Sequence, residues 1–278
     1  MALGFYGHWG SVTIAVNKKS MSYLEKLFGF DGQVAVVIGG TGVLCGQMAE
    51  GLASAGAHVV IAGRSEERGA ARVTSIEEKG GQASFAAVDA MSKASIQALC
   101  DKVLTERGQI DAVINGAGIN AATPYFEIEE EEFDKIIRSN LNGTHYACQV
   151  FGKAMIDAGG GAILNIGSVT SFLPLSKVYT YAASKAAILS LTQNVAREFA
   201  PLKVRVNCLC PGFFPAEQNR KILSEERIAD IMRHTPMHRF GDAEELIGAT
   251  LLLLSKTAGS FITGEAVYVD GGFTSMTI

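Results

Sequence analysis

The most constraining feature of this sequence is a repeated alternation of short apolar runs with helical patterns. The run Val34-Ala35-Val36-Val37-Ile38 is apolar at every position. A strand exposed on one face alternates apolar and polar residues, whereas a strand covered on both faces reads as a continuous run, as in a parallel sheet. The runs His58 to Ala62, Ser84 to Val88, Ala112 to Ile114, Ala162 to Ile166, Val204 to Leu209 and Ala266 to Val269 repeat the theme. Between them fall helical patterns: one through Met48, Leu52 and Ala55, closed by Gly56; one from Ser65 to Lys79, closed by Gly80-Gly81; and others near 92–107, 129–158, 178–199 and 243–254. Alternating β and α segments predict an α/β fold, a doubly wound parallel (Rossmann) sheet with right-handed crossovers.

A chain of 278 residues accommodates one large domain or two small ones. No Pro- or Ser-rich linker and no shift of composition divides this one, so residues 21–278 are expected to form a single domain. Residues 1–20 mix Gly, aromatics and Val without a period, and read as a loosely ordered extension without signal-peptide character. With 48% hydrophobic and 19% charged residues the chain can fill such a core and is not disordered. The formal charge of −4, without a basic stripe, excludes a nucleic-acid binder as the natural reading. No apolar run reaches membrane-spanning length. Cys45, Cys100, Cys148, Cys208 and Cys210 do not form a disulfide framework, and fit a reducing, cytoplasmic compartment. His234 and His238 have a metal-like spacing, but Pro236 lies between them and no Cys or acidic ligand is close, so no metal site is expected. The acidic run Glu129 to Glu132 reads as the dipole-favoured first turn of a helix.

Several motifs fall where such a sheet binds ligands, at the carboxyl ends of its strands. After the first strand, Gly39-Gly40-Thr41-Gly42 opens a helix, a geometry that brings backbone N–H groups and a helix N-terminus to a phosphate. Asp89 closes the third strand, and Asn115-Gly116-Ala117-Gly118 follows the fourth. The second strand ends at Ala62-Gly63-Arg64, with no acid to hold a ribose 2′-OH and an Arg that accommodates a 2′-phosphate. NADP(H) is therefore favoured over NAD(H); Arg64 stacked on adenine or facing solvent is the other reading.

Tyr181 and Lys185 stand four residues apart, one above the other on a helix. A fixed cation beside a phenol favours the phenolate, so the couple can act as general acid or base on an oxygen. A hydroxyl such as that of Ser168 can hydrogen-bond the same oxygen. This set suits carbonyl/alcohol interconversion.

In motif order the chain resembles the short-chain dehydrogenase/reductase family, in its compact single-domain branch, from Phe30 to about Thr274: the glycine turn, Asp89, Asn115 to Gly118, Asn140, Ser168, Tyr181 with Lys185, and Pro211-Gly212. The resemblance implies an oxidoreductase passing hydride between nicotinamide and a carbonyl carbon. Tyr181 is implied as acid/base and Ser168 as the group holding the substrate oxygen. Lys185 is implied to support Tyr181 and bind the nicotinamide ribose, and Asn140 to order a proton-relay water. Cofactor contacts are implied at Gly39, Thr41, Gly42, Val43, Leu44, Arg64, Asp89, Asn115, Gly116, Ala117, Tyr181, Lys185, Pro211, Gly212 and Phe214. Tyr179 is assigned to the pocket wall or to packing. Departures exist. Two glycine slots of the family's turn hold Val43 and Cys45, so the turn either shifts register or tolerates side chains. Cys45 reads as a small buried packing residue. A Thr common after Pro211-Gly212 is replaced by Ala216.

The stretch Pro211 to Arg220, expected as a lid, resembles mannonate/fructuronate oxidoreductases and gluconate 5-dehydrogenases. A sugar-acid substrate follows, read by Gln218, Asn219 and Arg220, with Asn120 and Thr170 as further hydroxyl contacts; Arg220 at the start of an exposed helix is the competing reading. A 3-oxoacyl-thioester reductase and a non-catalytic dinucleotide-binding protein are the alternatives. Relatives commonly form homotetramers through helices near 129–158 and 178–199 and the C-terminal strand, so a homo-oligomer is implied.

Overall fold

The computed structural model describes residues 21–215 and 224–276. Residues 1–20, Ala216 and the candidates Gln218, Asn219 and Arg220 lie outside the described residues. Seven strands build the sheet: β1 (Val34–Ile38), β2 (His58–Gly63), β3 (Gln82–Ala87), β4 (Ala112–Asn115), β5 (Gly161–Ile166), β6 (Val204–Pro211) and β7 (Ala266–Val269). All pairings are parallel, in the order β3-β2-β1-β4-β5-β6-β7. The order reverses between β1 and β4, and such a switch point opens a crevice at the carboxyl ends.

Strand β1 shows why the apolar run is continuous. Ala35 and Val37 join a core with Met48, Leu52 and Leu253, while Val34, Val36 and Ile38 join a second with Ile96, Phe151 and Met155. Successive side chains of a strand point to opposite faces, and here both faces are covered. Each large side chain so buried contributes about 1.5–3 kcal/mol relative to exposure.

The covering helices are α1 (Tyr23–Phe28), α2 (Val43–Ser54), α3 (Glu66–Glu78), α4 (Lys93–Arg107), α5 (Glu130–Ile137), α6 (Gly143–Asp157), α7 (Tyr179–Phe199), α8 (Glu225–His234) and α9 (Ile247–Leu254). Gly56 follows the end of α2 at φ 103°, a left-handed conformation open to glycine. Glu130, Glu131 and Glu132 occupy the first turn of α5.

Several segments differ from the sequence reading; β2, β4, β5 and β6 each run one or two residues longer. β3 starts at Gln82, not Ser84, because its ladder with β2 runs from His58 opposite Gln82. The single helix expected over 129–158 is broken into α5 and α6 by a π-helical turn, Arg138–Asn142. The segment expected as a helix over 243–254 opens with a 3₁₀ turn, Ala243–Leu246, before α9. Helix α8 was foreshadowed only by the competing reading of an exposed helix starting at Arg220, a residue outside the described ones; α8 itself begins at Glu225. It ends at His234, before Pro236, and His234 Nδ1 and His238 Nδ1 contact the carbonyls of Asp230 and Met232 at 3.0 and 3.2 Å. Among the described residues no helix is long and apolar enough to cross a membrane.

Candidate active site

The catalytic candidates converge at the carboxyl end of β5. Gly167 follows that strand, and a Cβ there would lie 2.6 Å from Cys210 Sγ and 2.7 Å from Cys208 Sγ. Two buried thiols of β6 thus form the floor beneath Ser168. The hydrogen bond to Cys210 and burial both raise the Cys208 thiol. Ser168 caps a short 3₁₀ turn, Val169–Ser171, and its Oγ accepts from Thr170 N at 3.2 Å. In return Ser171 Oγ accepts from Ser168 N at 3.2 Å and donates to Lys185 O at 2.8 Å. The Ser168 turn is therefore bonded to α7, the helix carrying Tyr181 and Lys185.

Lys185 is buried at 4% exposure, and a buried ammonium must be bonded. Its Nζ donates to Ile166 O at 2.7 Å and stands 5.5 Å from the Tyr181 ring centroid. One of three N–H donors is so used, and two remain for partners in the crevice. Asn140 lies in the π-helical turn, a kind of irregularity frequent at functional sites. Its Oδ1 accepts from Ile119 N at 2.8 Å, and its Nδ2 donates to Ile119 O and Ser184 Oγ, each at 3.0 Å. A Cβ on Gly118 would sit 3.2 Å from Asn140 Oδ1 and 3.8 Å from Lys185 Nζ. The loop after β4 therefore lies directly against Asn140 and Lys185, and a side chain at Gly118 would crowd the Asn140 amide. Tyr179 is exposed and edge-on to Tyr125 at 5.2 Å, away from this corner.

Along the switch point runs a cleft of about 270 Å³. Gly39, Thr41, Gly42, Arg64, Asp89, Gly116 and Ala117 line it, as expected for cofactor contacts. Gly39 has φ 86°, and a Cβ there would lie 2.8 Å from Ala117 N. Gly42 is the N-cap of α2, which begins at Val43. Val43 is half exposed, while Leu44 packs partly against the core. Cys45 is buried, and a Cβ on Gly116 would meet its Sγ at 2.1 Å. The turn thus tolerates side chains at the two glycine slots, Val43 because it is half exposed and Cys45 because Gly116 opposite provides the space it fills. Burial pushes the Cys45 thiol up to about 11.

Other candidates are placed differently. The side chain of Asn115 is buried, donates from Nδ2 to Asn165 Oδ1 at 2.9 Å, and leaves Oδ1 without a partner among the described residues. Asn165 in turn donates to Thr192 Oγ1 of α7 at 2.9 Å. Pro211 ends β6, and Gly212 packs against Asp270. Phe214 lines a separate cavity of about 380 Å³ with Thr235, Tyr268 and Asp270. Asn120 lines a third, of about 410 Å³, with Arg64, Glu132 and Lys135; neither Ser168 nor Tyr181 borders it. Thr170 stands two residues beyond Ser168, buried, with Oγ1 lacking any partner among the described residues. Sequence reading missed Arg68, Met91 and Ser139 in the cleft wall. For Arg68 a signal existed: it lies one helical turn beyond Arg64.

A family model described as enoyl-(acyl carrier protein) reductase matches residues 44–274. An uncharacterized oxidoreductase, UxuB, of Bacillus subtilis is 37% identical, over 87% of this chain and 95% of its own length. Gluconate 5-dehydrogenase of Gluconobacter oxydans is 33% identical, over 89% of this chain and 97% of its own. The crystal structure of a gluconate 5-dehydrogenase from Burkholderia cenocepacia, in complex with NADP and tartrate, superposes with a TM-score of 0.87 at 33% identity, covering 92% of this chain and all of that one.

Proposed function

This chain belongs to the short-chain dehydrogenase/reductase family, and on that premise we propose that it interconverts a carbonyl and a secondary alcohol on a sugar acid, using NADP(H). The observation that carries the reaction class is Lys185, buried, bonded to the end of β5 and held against the Tyr181 ring beside Ser168. In the direction of reduction, the Tyr181 hydroxyl gives its proton to the substrate oxygen as negative charge develops there. The Ser168 hydroxyl donates to the same oxygen, an interaction that strengthens as that charge grows. The Lys185 ammonium stabilises the phenolate that Tyr181 becomes. Asn140 acts as a positioning residue, tying the loop at Ile119 to α7 through Ser184.

The cleft fits a dinucleotide: glycine at Gly39 for backbone approach, the opening of α2 for phosphate, and Asp89 at the adenosine end. When bound, a nicotinamide supplies or accepts the hydride. Arg64 and Arg68 line this cleft without an acidic partner among the described residues, and Gly63 offers no carboxylate for a ribose 2′-OH. Both features favour a 2′-phosphate, hence NADP(H), while NAD(H) remains the second choice. The sugar-acid class rests on the likeness to gluconate 5-dehydrogenases. A cytoplasmic homotetramer accords with the reducing character of five free, buried cysteines and with the exposed aromatics Phe126, Phe133 and Phe172.

The experiment is a substrate panel of aldonates, keto-aldonates, uronates and an acetoacetyl thioester, each with all four nicotinamide cofactor forms. Turnover of a sugar acid with NADP(H) is expected. Activity confined to the thioester would establish the 3-oxoacyl reductase reading instead, and failure to bind NADH or NADPH would establish a non-catalytic protein.

A further inference from the structure

Ser168 stands where the sheet's hydrogen bonding stops. Gly167 N still bonds across to the neighbouring strand, at Leu209 O and 2.8 Å. Ser168 N is the next amide, beyond the end of β5 at Ile166, on an extended backbone of φ −167° and ψ 165°. A buried N–H without a partner is costly, and Ser171 Oγ takes this one at 3.2 Å. In return Thr170 N donates to Ser168 Oγ at 3.2 Å. The two serines thus form a capping box, closed around a 3₁₀ turn of three residues.

The box gives each hydroxyl a direction. A hydroxyl has one proton to donate and two lone pairs that accept. Thr170 N occupies a lone pair of Ser168 Oγ, and no acceptor for the Ser168 proton is found among the described residues. That proton is left for a substrate oxygen, and the bond received from Thr170 strengthens the bond given, because hydrogen bonds in a chain polarise one another. Ser171 Oγ accepts from Ser168 N and commits its own proton to Lys185 O at 2.8 Å. One buried oxygen therefore spans the backbone of the residue that carries the donor hydroxyl and the backbone of the residue that carries the ammonium. The thiols of Cys208 and Cys210 share its place against Gly167, but a thiol bonds weakly and does not substitute for it.

We propose that Ser171 is a positioning residue: by closing the box it aims the Ser168 hydroxyl as a donor and fixes it in register with Lys185 on α7. The proposal rests on the reaction class assigned above, in which Ser168 donates to the substrate oxygen. Ser171 touches neither substrate nor cofactor in this account and acts only through Ser168.

The full chain is assayed with NADPH on 5-keto-D-gluconate and on acetoacetyl-coenzyme A. Ser168→Ala should lower kcat by about 10²- to 10³-fold, as loss of one oxyanion donor does. Ser171→Ala should lower kcat by about 10- to 100-fold, the cost of a misaligned reacting group, with KM and NADPH affinity little changed. Added to Ser168→Ala, it should cost less than about twofold more, because residues that act as a unit are not additive. An equal fold-loss in both backgrounds, or a matching rise in KM, marks a structural role and overturns the proposal; so does an unchanged kcat in Ser171→Ala. If a melting curve shows that Ser171→Ala does not fold, Ser171→Cys carries the same comparison, since it keeps the shape of the side chain but only the weak bonds of a thiol. Its loss of kcat should again appear only where Ser168 is present, and a loss in both backgrounds overturns the proposal. Full kcat in Ser168→Ala, or no turnover of either compound by the unaltered protein, overturns the reaction class and this proposal together.

Discussion

The catalytic corner and the glycine turn are joined through Gly118, which lines the cleft and lies against Asn140 and Lys185, but they are built on different terms. At the corner, function resides in side-chain atoms: the Tyr181 hydroxyl, the Lys185 ammonium on Ile166 O, and the hydroxyl of Ser168, whose backbone N–H is tied to α7 through Ser171. At the turn it resides in backbone groups and in the space left for them. There a side chain is allowed wherever its volume is given back opposite, as Gly116 gives it back to Cys45. The corner therefore demands particular residues, and the turn demands a particular volume.

The largest effect expected from this contrast is at the corner. Lys185→Met keeps the length of the side chain but removes the cation beside Tyr181. Turnover should fall by about 10²- to 10⁴-fold, the usual worth of positioned acid–base catalysis, with thermal stability little changed. Steady-state kinetics alongside a melting curve will check it; a loss of less than tenfold would dissolve the distinction between the two regions.

At the turn the effect should be one of packing and should be reversible. Gly116→Ala drives a methyl group into Cys45 Sγ and should destabilise the fold by about 1–3 kcal/mol, as overpacking does. Adding Cys45→Gly should restore most of that, with a coupling that a double-mutant cycle measures by denaturant unfolding. Strict additivity would show that the exchange of volume between the two positions is not real.

A smaller effect sharpens the picture of the turn's outer side. The Arg72 guanidinium occupies the space over Gly46 and is bonded to buried Glu50, which also holds Lys79. Burial opposes ionisation of Glu50, but the bonds from Lys79 and Arg72 outweigh it and hold the carboxyl below its ordinary value of 4.5. Its contribution to stability is accordingly complete above the unfolded value and lost as pH falls through the lower, folded one. Glu50→Gln should cost about 1–2 kcal/mol at pH 7, and the gap from the unaltered protein should narrow on acidification below pH 4.5. A gap independent of pH would assign the loss to packing.

What could be read in advance follows the same division. The buried strands were legible because double-sided burial writes itself as unbroken apolar runs, and β1 and β7 fall at their predicted bounds. Tyr181 and Lys185 were legible because helical spacing alone brings them together. The π-helical turn at Asn140 was not, since it accompanies contacts with Ile119 made in the folded state. The pairing of Cys45 with Gly116 joins the first turn of α2 to the loop after β4, and no local pattern announces it. Helix α8 stood out less than its residues allow: Ile228, Ile231 and Met232 recur at helical spacing, but the segment adjoins one read as a lid.

Tyr181→Phe tests the central claim most directly, with turnover and NADPH fluorescence titration measured on one preparation. The account predicts that turnover is abolished while cofactor affinity and stability match the unaltered protein. Full activity in that variant would contradict it.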